Sequence, residues 1–290
     1  MEERVFIKLQ QMAQRGNSTA QAELGTIFFN GDGVQRDHVK ATEWWLKAAE
    51  QGHAGAQCYL AYCYYCGIGI DQDNEKAFYW FGKSAALGVL EAQDYLGLCY
   101  ANGTGCSQNY ALAFKWWKSA AEQGLPSAQH NLSVCYDEGN SVAQNQTLAA
   151  HWCRKAAEQG FAQAQYNLGF YYYRGEGVKQ DIEKALIWWQ KAAEQGHAMA
   201  LYNLGNCYAD GFVVPKDKEK AHKLWQLAAS QGVEEARIKL EQDKQAEQQH
   251  YNDIINAYLK AVENGVDMTP YSINVKIHPQ EGDTNHSSLP

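Results

Sequence analysis

Lys47-Ala48-Ala49-Glu50-Gln51-Gly52 returns unchanged as Lys155-Ala156-Ala157-Glu158-Gln159-Gly160 and as Lys191-Ala192-Ala193-Glu194-Gln195-Gly196. The register holds elsewhere. Leu24, Leu60, Leu96, Leu132, Leu168, Leu204 and Leu240 are each 36 residues apart, as are Gly16, Gly52, Gly88, Gly124, Gly160, Gly196 and Gly232. A fixed period of this length marks a supersecondary unit whose apolar face is completed by its neighbours. The chain is therefore read as an all-α solenoid with one core shared along the array.

Two helices are predicted in each unit. In the fifth, Ala164, Leu168, Tyr171 and Tyr172 recur at helical spacing and form one apolar stripe, with Gly169 small enough for a close helix neighbour. Residues 174–178 supply a turn in which Gly175 and Gly177 tolerate positive φ and Val178 plugs the space between the helices. The second helix is predicted from about Asp181 to Gln195, with Ala185, Trp188, Trp189, Ala192 and Ala193 inward and Gly196 as its C-cap.

The pattern A-x-x-x-L-G-x-x-Y-x-x-G-x-G-V, then D-x-x-K-A-x-x-W, then K-A-A-E-Q-G resembles the Sel-1-like repeat, a relative of the tetratricopeptide repeat with a longer turn. The resemblance covers six units over residues 20–235. It implies a right-handed superhelix whose first helices line a concave groove. Ala61 stands in the helix-glycine position of unit two, Ser141 replaces a loop glycine in unit four, and unit six reads Gly211-Phe212-Val213. Reshaped loops are expected at the last two.

The ends follow the same register. Residues 1–19 are read as a half-repeat cap, because residues 5–15 align with the second helix of the first unit. Residues 236–264 are read as capping helices, a polar one to about Gln248 and then a stripe of Tyr251, Ile254, Ile255, Tyr258, Leu259 and Val262. Residues 265–290 form a polar tail expected to be loosely ordered.

The chain has 290 residues, 46% of them hydrophobic, and a net charge of −8. An acidic chain without a basic stripe argues against nucleic acid as a partner. No apolar run is long enough to enter and span a bilayer, and the first residues do not form a secretory signal. Cytoplasmic synthesis is expected, with transfer into a host cell left open.

Eight cysteines require a choice between disulfides, metal and core. Cys63, Cys99, Cys135 and Cys207 share one repeat position, Cys106 takes the loop-valine position and Cys153 a helix aromatic position, so they are read as reduced core residues. The cysteine-rich branch of the resembled family pairs cysteines across a junction where this chain has Ala49 and Gln57, so that framework is absent. Cys58, Cys63 and Cys66 point in different directions around a helix and are not read as a metal site. The nine histidines form no ligand spacing, and no nucleophile elbow, phosphate loop or dinucleotide fingerprint occurs. No catalytic residue, cofactor or metal is assigned.

What remains is surface. At 100° per residue, the positions two before, two after and five after the repeat leucine turn away from the core. With their flanking positions, these select Tyr59, Tyr62, Tyr65, Tyr95, Leu98, Tyr166, Asn167, Phe170, Tyr173, Arg174, Tyr202, Asn203 and Asn206 as partner-binding residues. Cys58 falls in the same set. Massed aromatics beside an arginine have the composition of a protein-binding hot spot. The expected function is a monomeric, non-enzymatic module that holds a protein partner in its groove. The resemblance implies a bacterial effector or a regulator of another effector or toxin. Residues 281–290 are similar to carboxy-terminal translocation signals. A toxin-immunity protein, a signalling scaffold and an enzyme whose residues meet only in space are the alternatives.

Overall fold

The structure, a computed structural model, describes residues 3–265. Among the described residues every regular element is an α-helix, and the helices fall into two compact units that divide between Val233 and Glu234.

In the first unit, α1 (Glu3–Gln14) precedes six helix pairs. The first helix of each pair, called A, is α2 (Ser18–Asn30), α4 (Ala54–Cys66), α6 (Leu90–Asn102), α8 (Pro126–Glu138), α10 (Ala162–Arg174) and α12 (Ala198–Asp210). The second, called B, is α3 (His38–Glu50), α5 (Asn74–Ala86), α7 (Tyr110–Glu122), α9 (Gln146–Glu158), α11 (Ile182–Glu194) and α13 (Lys218–Ser230). Every A helix packs on its own B helix, and each B helix but the last packs on the A helix that follows. This nearest-neighbour pattern is the all-α solenoid that the period predicts. Leu24, Leu60, Leu132 and Leu168 are fully buried, as the period requires.

Local chemistry sets both helix ends. Every B helix begins at an Asp or Asn whose side-chain oxygen accepts from the backbone N–H three residues on: Asp37, Asp73, Asn109, Asn145, Asp181 and Asp217. Each A helix ends in a left-handed glycine, at 31, 67, 103, 139, 175 and 211. The B helices close one residue before the glycine of the K-A-A-E-Q-G phrase, at Gln195 rather than Gly196 in unit five, with Gly196 in the left-handed region beyond.

A buried glutamine ladder joins the units. Gln21, Gln57, Gln129 and Gln165 each donate a side-chain N–H, at 3.0, 3.0, 3.2 and 3.1 Å, to a carbonyl at the end of the preceding helix: Ala13, Ala49, Ala121 and Ala157. The bond satisfies an otherwise orphaned helix-terminal carbonyl. The glutamine of the repeated phrase completes the seam, since Gln51 donates to Gln21, Gln159 to Gln129 and Gln195 to Gln165.

Within a unit, the A-helix position after the repeat leucine fits the B-helix aromatic. A Cβ at Gly25, Gly97, Gly169 or Gly205 would strike the indole of Trp45, Trp117, Trp189 or Trp225. Those indoles donate to Ala22 O, Asp94 O, Tyr166 O and Asn206 Oδ1 at 3.1 to 3.2 Å. In unit two the pair is Ala61 with Phe81, and in unit four Ser133 with Cys153. As the A residue grows, its partner shrinks.

The loops correct one expectation. The second loop glycine lies against the B helix of the preceding unit: a Cβ on Gly69, Gly105 or Gly177 would meet the backbone oxygen of His38, Asn74 or Gln146. Ser141 and Val213 occupy this position in units four and six and keep the same left-handed backbone, at φ 62° and 65°. The loops are therefore not reshaped. The fold around them imposes a strained conformation instead, unusual above all for β-branched Val213.

The second unit corrects another. Residues 234–263 form one helix, α14 (Glu234–Glu263), rather than two. Glu247 stands 36 residues after Gly211, where every preceding A helix has its terminating glycine, so nothing halts the helix there. Tyr251, Ile254, Leu259 and Val262 of the expected stripe are exposed. The tail assigned to residues 265–290, apart from Gly265, lies outside the described residues.

Candidate partner-binding face

Three recesses in the solenoid occupy one repeat position. The first, of about 450 Å³, lies where units one and two meet, reaches the start of unit three, and includes Thr26, Phe29, Trp45, Tyr59, Tyr62 and Glu91 among its walls. The third, of about 350 Å³, lies between units five and six and includes Phe170, Tyr173, Trp189, Asn203 and Asn206. Four periods separate each pair Thr26/Phe170, Phe29/Tyr173, Trp45/Trp189, Tyr59/Asn203 and Tyr62/Asn206. A recess of about 230 Å³ between units four and five carries Asp137, Asn167, Phe170 and Arg174 at corresponding positions.

The expected site residues divide among these recesses and the core. Tyr59 is 51% exposed and stacks on Trp45, with ring centroids 5.0 Å apart and planes at 22°. Tyr173 is 42% exposed and leans on Trp189 at 5.6 Å. Arg174 is exposed, with its guanidinium 5.5 Å from the Phe170 ring centre and 3.6 Å from Glu176. Asn167 meets His130 Nε2 at 3.0 Å, and Asn206 accepts the Trp225 indole proton. Tyr202 is half-buried and lines none of the three recesses.

The expectation that Tyr62, Tyr65, Tyr166 and Phe170 lie beyond the demands of core packing is wrong. All four are half-buried against core clusters, as is Leu98. Tyr65 packs edge-on against Phe81, and Tyr95 lies flat on the same ring, 5.0 Å away at 7°. Phe170 packs edge-on against Trp189 at 5.4 Å, and Tyr166 stacks on His197 at 4.5 Å. Cys58 is buried too. The physical reason is twofold: the B helix of the same unit sets Phe81 or Trp189 beneath the ring, and the following unit covers others, with Tyr95 on Tyr62 and Tyr65 and His197 on Tyr166.

Sequence reasoning missed Phe29, which stands at the outward position five after Leu24, and the recess walls supplied from other positions: Trp45, Trp189, Glu91 and Asp210. The available signal was the tryptophan that recurs opposite each helix glycine.

Burial pushes the Cys58, Cys63, Cys99 and Cys153 thiols up to about 12, and Cys135 and Cys207 to about 11. A neutral thiol at physiological pH is a poor nucleophile and metal ligand. Burial likewise pushes the Tyr95 phenol up to about 12. Among the described residues no group of His, Cys, Asp or Glu converges with metal-site geometry, and no helix is long and apolar enough to cross a membrane.

An array of interlocked helix pairs with recesses at its junctions defines a repeat protein of the scaffold class. Sel1 repeats match residues 18–53, 54–89, 90–125, 126–161, 162–197 and 198–233, and the chain belongs to the Sel1 repeat family. A Sel1 repeat protein from Oxalobacter formigenes is 32% identical, with a TM-score of 0.70 over 73% of this chain and 85% of that one. Protein c5321, a protective antigen of uropathogenic Escherichia coli, is also 32% identical, with a TM-score of 0.69 over 80% of this chain but 50% of its own. Immunity protein PA5088 from Pseudomonas aeruginosa shares the fold at 22% identity and a TM-score of 0.51. No curated protein matches the chain. The Sel1 repeat is a protein-interaction fold, generally without catalytic activity.

Proposed function

We propose that this chain is a non-catalytic binding protein that holds one polypeptide partner along the A-helix side of the solenoid, engaging the junction recesses in register. The recurrence of recesses at one repeat position carries this reading, because an extended polypeptide matches a row of similar sites better than a single compact ligand does. The exposed rings, Tyr59 and Tyr173, supply rigid contact area, while the half-buried aromatics hold the walls. The narrower reading is that the partner is a bacterial effector or toxin regulated by the solenoid. It rests on the carboxy-terminal sequence and is the more specific part of the proposal.

The test is affinity capture with the full chain, compared with the double variant Tyr59→Ala and Tyr173→Ala. Loss of a specific partner with an unchanged melting midpoint supports the reading. Undiminished capture moves the site to the B helices or to residues beyond 233. If the captured partner is a housekeeping protein rather than a toxin or effector, the narrower reading falls alone.

A further inference from the structure

From its geometry and charge we infer that the recess between units one and two receives an arginine side chain of the partner; the inference rests on the reading that the A-helix side binds a polypeptide. The walls are aromatic, with Tyr59, 51% exposed, lying over the buried Trp45. Trp45 and Tyr59 stack at 5.0 Å, and Phe29 lies 5.2 Å from Trp45. Tyr62 and Tyr95 meet at 5.7 Å across the floor. Aromatic faces carry negative charge density and attract cations.

Charge complementarity points the same way. Glu91 is the sole formally charged side chain lining the recess, and no lysine or arginine does so. Burial keeps the Cys58 and Cys63 thiols and the Tyr95 phenol, which also line the recess, neutral. Thr26, which lines the recess, gives its hydroxyl proton to Ala22 O and so has only acceptor capacity left. The recess thus presents rings, acceptors and one carboxylate.

Arginine fits this set better than lysine. A guanidinium lays its weakly hydrated faces on rings while its in-plane N–H groups reach a carboxylate, whereas an ammonium remains strongly hydrated. The chain itself pairs an arginine with a ring and an acid elsewhere. In unit five, Arg174 lies over the Phe170 ring at 5.5 Å and pairs with Glu176 at 3.6 Å. The position equivalent to Arg174 in unit one is Asn30. The position equivalent to Phe170 is Thr26, so here the rings come instead from Phe29, Trp45 and Tyr59 and the acid from Glu91; no cation lines this recess, and a partner provides it.

The experiment uses the full chain labelled with 5-fluorotryptophan, with the Trp45 resonance assigned through Trp45→Phe. N-acetyl-arginine amide is titrated against its citrulline and lysine counterparts. A saturable Trp45 shift with arginine, weaker by about fivefold or more for citrulline and lysine and reduced similarly by Glu91→Gln, is expected, since cation–π contacts and one charge pair are of that size. No shift, equal binding of citrulline or lysine, or an unaffected Glu91→Gln would overturn the inference. Partner capture separates the two levels. A Glu91→Gln chain that retains its partner at full affinity, while Tyr59→Ala with Tyr173→Ala loses it, overturns the arginine assignment and keeps the face. Retention by both variants overturns both.

Discussion

Unit one sets Gly25 beneath the indole of Trp45; unit four sets Ser133 opposite Cys153. The backbone is the same in both, with thirteen-residue A and B helices in each. In unit four the missing indole is offset by Tyr171 from the next A helix, which stands where four other units hold cysteine and packs in the cluster that contains Cys153. The repeat preserves combined volume at this contact, not residue identity.

The sharpest way to break the comparison is to empty an intact lock. Trp189→Ala should cost about 3–5 kcal/mol, the usual penalty for deleting a buried large aromatic, measured by urea denaturation. The same free-energy range is not available at residue 153, where a cysteine already sits.

Next in size is overfilling. Gly169→Ala places a methyl group on the Trp189 indole and should cost about 1–3 kcal/mol. Adding Trp189→Phe recreates the Ala61–Phe81 pair of unit two, so the double variant should be more stable than the sum of the two single changes. Simple additivity would show that volume matching is not what the pair conserves.

The half-buried rings come third. Tyr166→Ala with Phe170→Ala should lower stability by about 2 kcal/mol or more, because both rings pack on the core. That variant therefore does not isolate binding. Tyr59→Ala with Tyr173→Ala should leave the melting midpoint nearly unchanged.

The smallest effect depends on pH and again separates the units. Hydrogen bonds donated by the backbone N–H of Lys40 and Lys76 chiefly hold the Asp37 and Asp73 carboxyls below their ordinary 3.8, and the Lys184 ammonium chiefly does so for Asp181. A depressed carboxylate contributes stability that is present above its unfolded pKa and is lost as pH falls through the folded value. Units three and four are capped by Asn109 and Asn145, which do not titrate. Hydrogen exchange below pH 4 should therefore rise at the starts of α3, α5 and α11 before it rises at α7 and α9. Uniform loss across all five would show that the caps do not set local stability.

The fold was legible because a period of 36 constrains every element at once: leucine, glycine and alanine positions all repeat. The unbroken α14 was legible in principle, since Glu247 stands where a glycine was needed, but the change from a polar segment to the apolar stripe beginning at Tyr251 reads as a break between two helices. The candidate site was read less well. A helical wheel reports which way Tyr65 or Phe170 leaves its own helix, yet not that Phe81 or Trp189 lies beneath the ring. Junction surfaces belong to two units, and only the residue opposite the glycine hints at what fills them.

The glycine locks act within a unit, whereas much of the seam between units is made to backbone carbonyls: a loop glycine on His38, Asn74 or Gln146, and a glutamine amide on the last turn of the preceding helix. Every residue has a carbonyl. A gene crossover in the turn between units would therefore carry each lock whole and rebuild these seams with whichever unit came next. Such an array can gain, lose or reorder units by unequal recombination, and each new junction arrives as a fresh recess on which selection for a different partner can act.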